Sequence, residues 1–327
     1  MARCLSPVIP MVVSFSALLA TGASMTPLPA GPSQNPFGVM LPSRLVRSSQ
    51  GMQVAKILGA VYYRPSSALF LNEWNGTCPE CAAALAAGFR LVLTVRANGR
   101  GQATAPPSDL AAYQRTLSQV LDTYRPAILV VENEENSALF YTGTPEEYAA
   151  ELKAACQVAH AKRIPCTNGG LVSILVALLV YHHYLESGQR QAAQDFAQRV
   201  FAPQEQELLN SPQAQEQVRK GKALLASYRA ASADYVNFHW YIADTQALGE
   251  AVAYLRAQTG LPVLTNEIGQ HSDDPHQTMA IMGKVVELGL PIAVWFSMDA
   301  PKARDWSTWM AACGPQGRRL SALSSPT

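Results

Sequence analysis

The stretch AILVVENEENS, residues 127–137, decides how the rest of the chain is read. Ile128 to Val131 is an unbroken run of β-branched residues and leucine, the pattern of a strand covered on both faces. It runs without a turn residue into Glu132, Asn133, Glu134, Glu135 and Asn136. Carboxylates crowded at a strand end repel one another unless something uses them. A solvated acidic loop is one reading. A catalytic carboxylate on the rim of a parallel barrel is the other, and the choice turns on whether the flanking sequence repeats a strand–helix alternation.

That alternation is present from about Asn35 onward. PFGVML around Phe37 reads as a first strand, AVYYRP ending at Arg64 as a second, RLVLTVR as a third and AILVVEN as the fourth. RIPCTNGG is a short fifth, DYVNFHWY the sixth, LPVLTNEIG the seventh and LPIAVWFSMD the eighth. Helical segments separate them. PSDLAAYQRTLSQVLDTY is amphipathic, with Ser108 expected as N-cap and Leu110, Tyr113, Leu117, Val120 and Leu121 on one side. TPEEYAAELKAACQVAHAK opens with Thr144 and carries Glu147 three residues on, the pattern of a capping box. Gly260 and Gly289 close two later helices. Between the fifth and sixth strands, residues 171–232 contain only helical patterns, including the strongly apolar LVSILVALLVYHHYL, and are expected to be a helical insertion. Eight strands alternating with helices are the count of a (β/α)8 TIM barrel, here one domain over residues 37–327. An open doubly wound sheet is the competing arrangement, but the Gly-rich phosphate loop that usually follows its first strand is missing.

The N-terminus reads as targeting sequence. Arg3 precedes the apolar run PVIPMVVSFSALLA, and small residues follow at 21–24, so residues 1–23 are expected to be a cleaved signal peptide and 24–36 a linker. The apolar run is shorter than the roughly 20 residues that span a bilayer. The expected location is therefore secreted or periplasmic, with no stable membrane partner after cleavage. With 25 basic and 24 acidic residues the net charge is +1, which gives no field for holding nucleic acid.

Cys78 and Cys81, in CPEC, are expected to form a local disulfide rather than a redox or zinc pair, since no second pair is present for zinc. Cys156 and Cys166 are placed to pair across one helix-to-strand turn, leaving Cys313 over. His182 and His183 point about 100° apart on a helix, and Glu186 adds only one more donor beside His182, so no metal site is expected there. No cofactor is expected either.

In a barrel the chemistry sits at the C-terminal strand ends. Read in that way, strand two ends in Arg64, strand four in Asn133-Glu134, strand six in His239 and Tyr241, and strand seven in Asn266-Glu267. Strand eight carries Trp295, with Asp299 just beyond. Two carboxyl groups, a cation, an imidazole, a phenol and an indole suit glycoside hydrolysis, in which one carboxyl delivers a proton and another attacks or activates water. Arg64 and Tyr241 are positioned to keep Glu267 ionised, Asn133 to bind a sugar hydroxyl, and Trp295 to offer a flat apolar face to a sugar ring.

The Asn-Glu closing strand four, the His-x-Tyr of strand six, the Glu closing strand seven and the Trp of strand eight resemble the retaining (β/α)8 glycoside hydrolases of clan A, which include cellulase-like, β-mannanase-like and β-xylosidase-like families. The resemblance implies Glu134 as acid/base, Glu267 as nucleophile, and Arg64, Asn133, His239, Tyr241 and Trp295 as supporting residues around an oligo- or polysaccharide. Glu135 stands where Pro commonly follows the acid/base, and the third strand offers Arg96 and Asn98 rather than a His. Two other readings remain: a non-catalytic carbohydrate-binding barrel, and a metal-dependent hydrolase using His239 and Asp299. Asn72-Glu73 is a second Asn-Glu pair, but it is set off from an apolar run by a loop and is read as a decoy. Glu135 is expected to face solvent by strand alternation; Glu132, on the face of Glu134 and one layer deeper, is expected either to pair with a basic residue behind the site or to be the reacting group in place of Glu134, the Asn-Glu flank favouring Glu134.

Overall fold

The computed structural model describes residues 35–41, 43–46, 50–272 and 274–296. The expected signal peptide, Asp299 and Cys313 lie outside them. The eight barrel strands are Phe37–Met40, Tyr62–Tyr63, Arg90–Arg96, Ile128–Val131, Cys166–Asn168, Val236–Trp240, Val263–Ile268 and Ala293–Phe296. Each pairs in parallel with its neighbours, and the first strand pairs with both the second and the eighth. Bridges Thr167–Tyr235 and Leu171–Phe238 join the fifth strand and the residues after it to the sixth, so the ring closes as a (β/α)8 barrel. A two-residue strand, Leu69–Phe70, runs beside the far end of the third. Asn35 and Pro36, assigned by sequence to the linker, are already bonded to the barrel: Asn35 Nδ2 donates to Gly59 O and Ala293 N to Pro36 O.

Alternation along the strands divides the core in two. Tyr62, Val92, Ile128, Val130, Leu264 and Val294 form a cluster inside the ring. Leu91, Leu93, Leu129, Val131, Phe238 and Trp240 face outward and merge with the apolar stripes of the helices. The doubly buried, unalternating run in AILVVEN follows from this, because both faces of a barrel strand are dry.

Capping chemistry sets the helix starts. Thr144 and Glu147 form the reciprocal capping box that opens helix Pro145–Ala161. Helix Leu110–Tyr124 is capped by Asp109, whose side chain accepts from Ala112 N, and not by Ser108. Leu110, the first helical residue, is exposed, while Tyr113, Leu117, Val120 and Leu121 are buried as the periodicity predicts.

Residues 171–232 contain four helices: Ser173–Glu186, Arg190–Val200, Pro203–Gln206 and Pro212–Ala230. The last packs against both Pro145–Ala161 and Thr245–Thr259, the place of a barrel helix between strands five and six. The material added to the barrel is therefore the stretch 173–206. The apolar helix Ser173–Glu186 is buried from Leu175 to Tyr181 and packs against Arg190–Val200 and Pro212–Ala230. Disulfides link Cys78 to Cys81 and Cys156 to Cys166. No helix among the described residues is long and apolar enough to cross a membrane.

Candidate active site

Strand four ends at Val131 because the backbone turns left-handed at Glu132, with φ 67°. Glu134 is also left-handed, with φ 49°. Such conformations are uncommon for residues with a side chain and persist only where the surroundings enforce them. Alternation therefore stops at Val131. Glu135, expected in solvent, is fully buried and accepts hydrogen bonds from Tyr228 Oη at 2.5 Å and Asn168 Nδ2 at 2.8 Å. Glu132 is buried too, accepting from Ala97 N at 2.7 Å and pairing with Arg96 Nε at 3.4 Å, the basic partner expected behind the site. Among the described residues, of the three carboxyls in ENEENS that of Glu134 is the one bonded to His239.

Strand seven supplies the second carboxyl through an irregularity. Thr265 is opposite Ala293 and Ile268 is opposite Trp295, so strand seven has one residue more than strand eight between those pairs. The same extra residue appears against strand six, where Asn237 faces Leu264 and His239 faces Glu267. This bulge lets consecutive residues, Asn266 and Glu267, both turn toward the barrel interior. Asn266 lies in a floor of carboxamides: Asn237 N donates to Asn168 Oδ1 at 2.7 Å, Asn266 N to Asn237 Oδ1 at 2.9 Å, and Asn237 Nδ2 to Asn266 Oδ1 at 2.8 Å.

Glu267 is held from the ends of strands two and six. Arg64 Nη1 pairs with Glu267 Oε2, Tyr241 Oη donates to Oε1 at 2.5 Å, and His239 Nδ1 lies 3.8 Å from Oε1. Burial by itself would raise its pKa. The positive charges of His239 and Arg64 outweigh that, together with hydrogen bonds from Tyr241 and Arg64, and hold the carboxyl down to about 2. The Arg64 guanidinium also donates to Asn133 Oδ1 at 2.9 Å and Asn266 O at 3.1 Å, so it joins the ends of strands four and seven.

His239 is buried, with Nε2 at 3.0 Å from Asn266 Oδ1 and Nδ1 at 2.8 Å from Glu134 Oε1. Asn266 Oδ1 can only accept, so Nε2 carries a hydrogen. Nδ1 and Glu134 then share one proton. Burial lowers the His239 pKa, but the negative Glu267 and Glu134 outweigh it, and the net direction is upward. Gly170 makes this packing possible: with φ 99° it brings its backbone so close that a Cβ there would stand 2.3 Å from His239 Nε2.

The structure thus brings Arg64, Asn133, Glu134, His239, Tyr241 and Glu267 together. It does not bring Trp295 to them. Val294 belongs to the inner cluster, so Trp295 falls on the helix side, half-buried against the outer core. The strand-eight ring that meets the site is Phe296, 6.0 Å from the Tyr241 ring. Glu73 of the second Asn-Glu pair lies in a turn and pairs with the exposed Arg100. His182 Nε2 is bonded to Leu209 O and Glu186 to Lys222. Sequence reasoning missed Asn168, Asn237 and the part played by Asn266. The signal available was an Asn at an inward position of each of three consecutive strands.

One oxygen each of Glu134 and Glu267 and a ring nitrogen of His239 lie within 4.8 Å of one another, a spacing that also suits a cation. The bonds already made argue against one. Both His239 nitrogens are engaged, both Glu267 oxygens accept from Arg64 or Tyr241, and Arg64 already supplies positive charge.

No protein-family model matches the sequence, and no curated protein matches it. Solved structures similar to this chain include the hyperthermostable endo-1,4-β-D-mannanase of Thermotoga petrophila RKU-1, with a TM-score of 0.50 and 13% identity over 83% of this chain and 91% of that one. Others are a GH128 (subgroup VI) exo-β-1,3-glucanase from Aureobasidium namibiae, with a TM-score of 0.46 and 12% identity over 82% and 85%, and an oxaloacetate acetylhydrolase in complex with oxalate, with 0.44 and 11% over 80% and 74%. The likeness to the mannanase is one of fold: the two chains share a (β/α)8 barrel.

Proposed function

We propose that this chain is an exported glycoside hydrolase that cleaves oligo- or polysaccharides with retention at the anomeric carbon. The observation that carries the reading is the carboxyl pair itself. Glu134 and Glu267 come from the ends of strands four and seven, with oxygens within 4.8 Å. That spacing favours the roughly 5–5.5 Å carboxyl separation of double displacement over the ~6.5–9.5 Å needed to seat a water for inversion.

Their surroundings differ in the sense the chemistry needs. Glu267, kept ionised, attacks the anomeric carbon as the bond to the leaving oxygen breaks. Glu134 gives that oxygen the proton it shares with His239. Water then attacks the glycosyl–Glu267 ester, Glu134 takes its proton, and Glu267 leaves as carboxylate. Asn133, with Oδ1 bound to Arg64, keeps its Nδ2 donor for a sugar hydroxyl. The two disulfides support an oxidising compartment and agree with the signal-like N-terminus.

The test is a turnover screen of aryl β-glycosides and soluble polysaccharides, beginning with β-mannans and β-1,3-glucans, with Glu267→Gln and Glu134→Ala in parallel. Cleavage by wild type, abolished in Glu267→Gln and indifferent to chelator, with a first product of unchanged anomeric configuration by NMR, is the expected result. Sugar binding without turnover would move the assignment to a carbohydrate-binding barrel. Loss of turnover on chelation would point to metal-dependent hydrolysis.

A further inference from the structure

Behind the site lies a second carboxyl pair that the proposed chemistry does not use. Glu132, at the left-handed exit of strand four, and Glu151, on helix Pro145–Ala161, are both fully buried and hydrogen-bonded to each other. Two carboxyl groups bond to one another only if one of them carries a proton. The surrounding bonds identify its seat. Glu132 Oε1 accepts from Ala97 N at 2.7 Å and Oε2 faces Arg96 Nε at 3.4 Å. Glu151 Oε2 accepts from Tyr141 Oη at 3.0 Å, while Glu151 Oε1 is buried with no donor from elsewhere in the described residues. The proton therefore belongs on Glu151 Oε1, directed at Glu132. Arg96 balances the remaining negative charge, and the Tyr113 hydroxyl, buried and without a partner among the described residues, borders the pair from helix Leu110–Tyr124.

The same helix face grips the preceding residue of the strand. Tyr148, three residues before Glu151 and so on the same side, donates through Oη to Val131 O at 2.9 Å and accepts from Gly169 N at 3.1 Å. Val131 and Glu132 are the last strand residue and the first left-handed one. Asn133 and Glu134 follow at once. Arg96 also donates to Phe140 O at 2.6 Å, and Thr104 and Tyr141 pair, so the loops after strands three and four are fastened together over the carboxyl pair.

We infer that Glu151, together with Tyr148, is a positioning residue for Glu134: the shared-proton bond to Glu132 holds the left-handed exit of strand four and thereby aims Glu134 at His239 Nδ1. The inference rests on the proposed role of Glu134 as acid/base. Its geometric part is independent of that role, because His239 reports where Glu134 is. Glu151→Gln keeps a donor toward Glu132 and an acceptor for Tyr141, whereas Glu151→Leu removes both.

The experiment is NMR of nitrogen-15-labelled histidine, with His239 assigned among the six histidines by substitution, alongside steady-state kinetics on the best substrate found. Glu151→Gln should leave the His239 ring signals and kcat near wild type. Glu151→Leu should shift the His239 Nδ1 signal and lower kcat by about 10²-fold with KM little changed, as expected when a catalytic group is misplaced by about an ångström. A folded Glu151→Leu protein with wild-type His239 signals would overturn the inference. If Glu151→Leu does not fold, Tyr148→Phe decides the matter by the same His239 signals, a shift supporting the inference and no shift overturning it. If wild type hydrolyses no sugar, the glycosidase reading falls, and the NMR arm still decides the positioning claim.

Discussion

Arg64 and Glu267 are 203 residues apart in the chain and form a part-buried ion pair at the centre of the candidate site. The guanidinium bonds Asn133 and the backbone of Asn266 as well, so one cation fixes both Asn-Glu corners and the charge of the second carboxylate. Truncating it removes the contacts and leaves a part-buried carboxylate short of positive charge.

Arg64→Met should move the acid limb of the pH–activity profile upward. Glu267 is held down to about 2, with Arg64 among the groups holding it there. Without the guanidinium, its carboxyl gains a proton at higher pH and is lost to the proposed attack. A profile of kcat/KM across the acid range checks this, and an unmoved acid limb would contradict the assigned role.

Tyr241→Phe removes the hydroxyl that lies 2.5 Å from Glu267 Oε1. Hydrogen bonds to charged groups contribute about 1.5–3 kcal/mol. The expected effect is a drop of about 10- to 100-fold in kcat/KM, together with a lower Tm at neutral pH, because the same bond helps hold Glu267 ionised in the fold. Parallel kinetics and thermal unfolding separate the two effects.

Stability should depend on pH through carboxyls shifted in opposite directions, Glu267 downward and the buried Glu132, Glu135 and Glu151 upward. Glu267, lowered to about 2, is ionised in the fold where the unfolded chain would begin to protonate. Its contribution is present above the ordinary glutamate value near ~4.3 and is lost as pH falls toward 2. Glu132 is raised to about 7, since burial outweighs its bond from Ala97 and the charge of Arg96. Between about 4.3 and 7 the folded state binds a proton the unfolded state does not. That contribution favours the fold at the lower end and fades as pH rises through 7. Urea midpoints over pH should show a shallower acid-side slope in Glu267→Gln and a shallower neutral-side slope in Glu132→Gln, the remainder coming from the other raised groups, Glu135, Glu151, His160 and His239.

Gly170→Ala should destabilise the fold by about 1–3 kcal/mol, the range for a side chain forced into a backbone region it disfavours. The added Cβ would also press on His239 Nε2, so activity should fall further than stability alone explains. Denaturation and kinetics on the same preparation test both parts.

Much of this molecule was legible in local sequence. The dry run Ile128–Val131, the Thr144–Glu147 capping box, and the Gly260 and Gly289 stops are patterns set by near neighbours, and each has its expected place in the barrel. Arg64, Asn133, Glu134, His239, Tyr241 and Glu267 were found by reading strand ends, because a barrel delivers those ends to one rim.

What escaped local reading was side-chain direction at those ends. Alternation predicted Glu135 in solvent and Trp295 at the site, and both expectations failed. Glu135 is buried because the backbone is left-handed at Glu132 and Glu134, a conformation enforced by Arg96, Tyr148 and Glu151 from other elements. Glu267 faces inward beside Asn266 because strand seven has one extra residue against both neighbours. Composition and periodicity settle which segments are strands and helices, since those follow from burial and hydrogen bonding along short stretches. A single positive φ or a one-residue bulge redirects a carboxyl by the width of a strand, and only partners far away in the chain decide where it occurs.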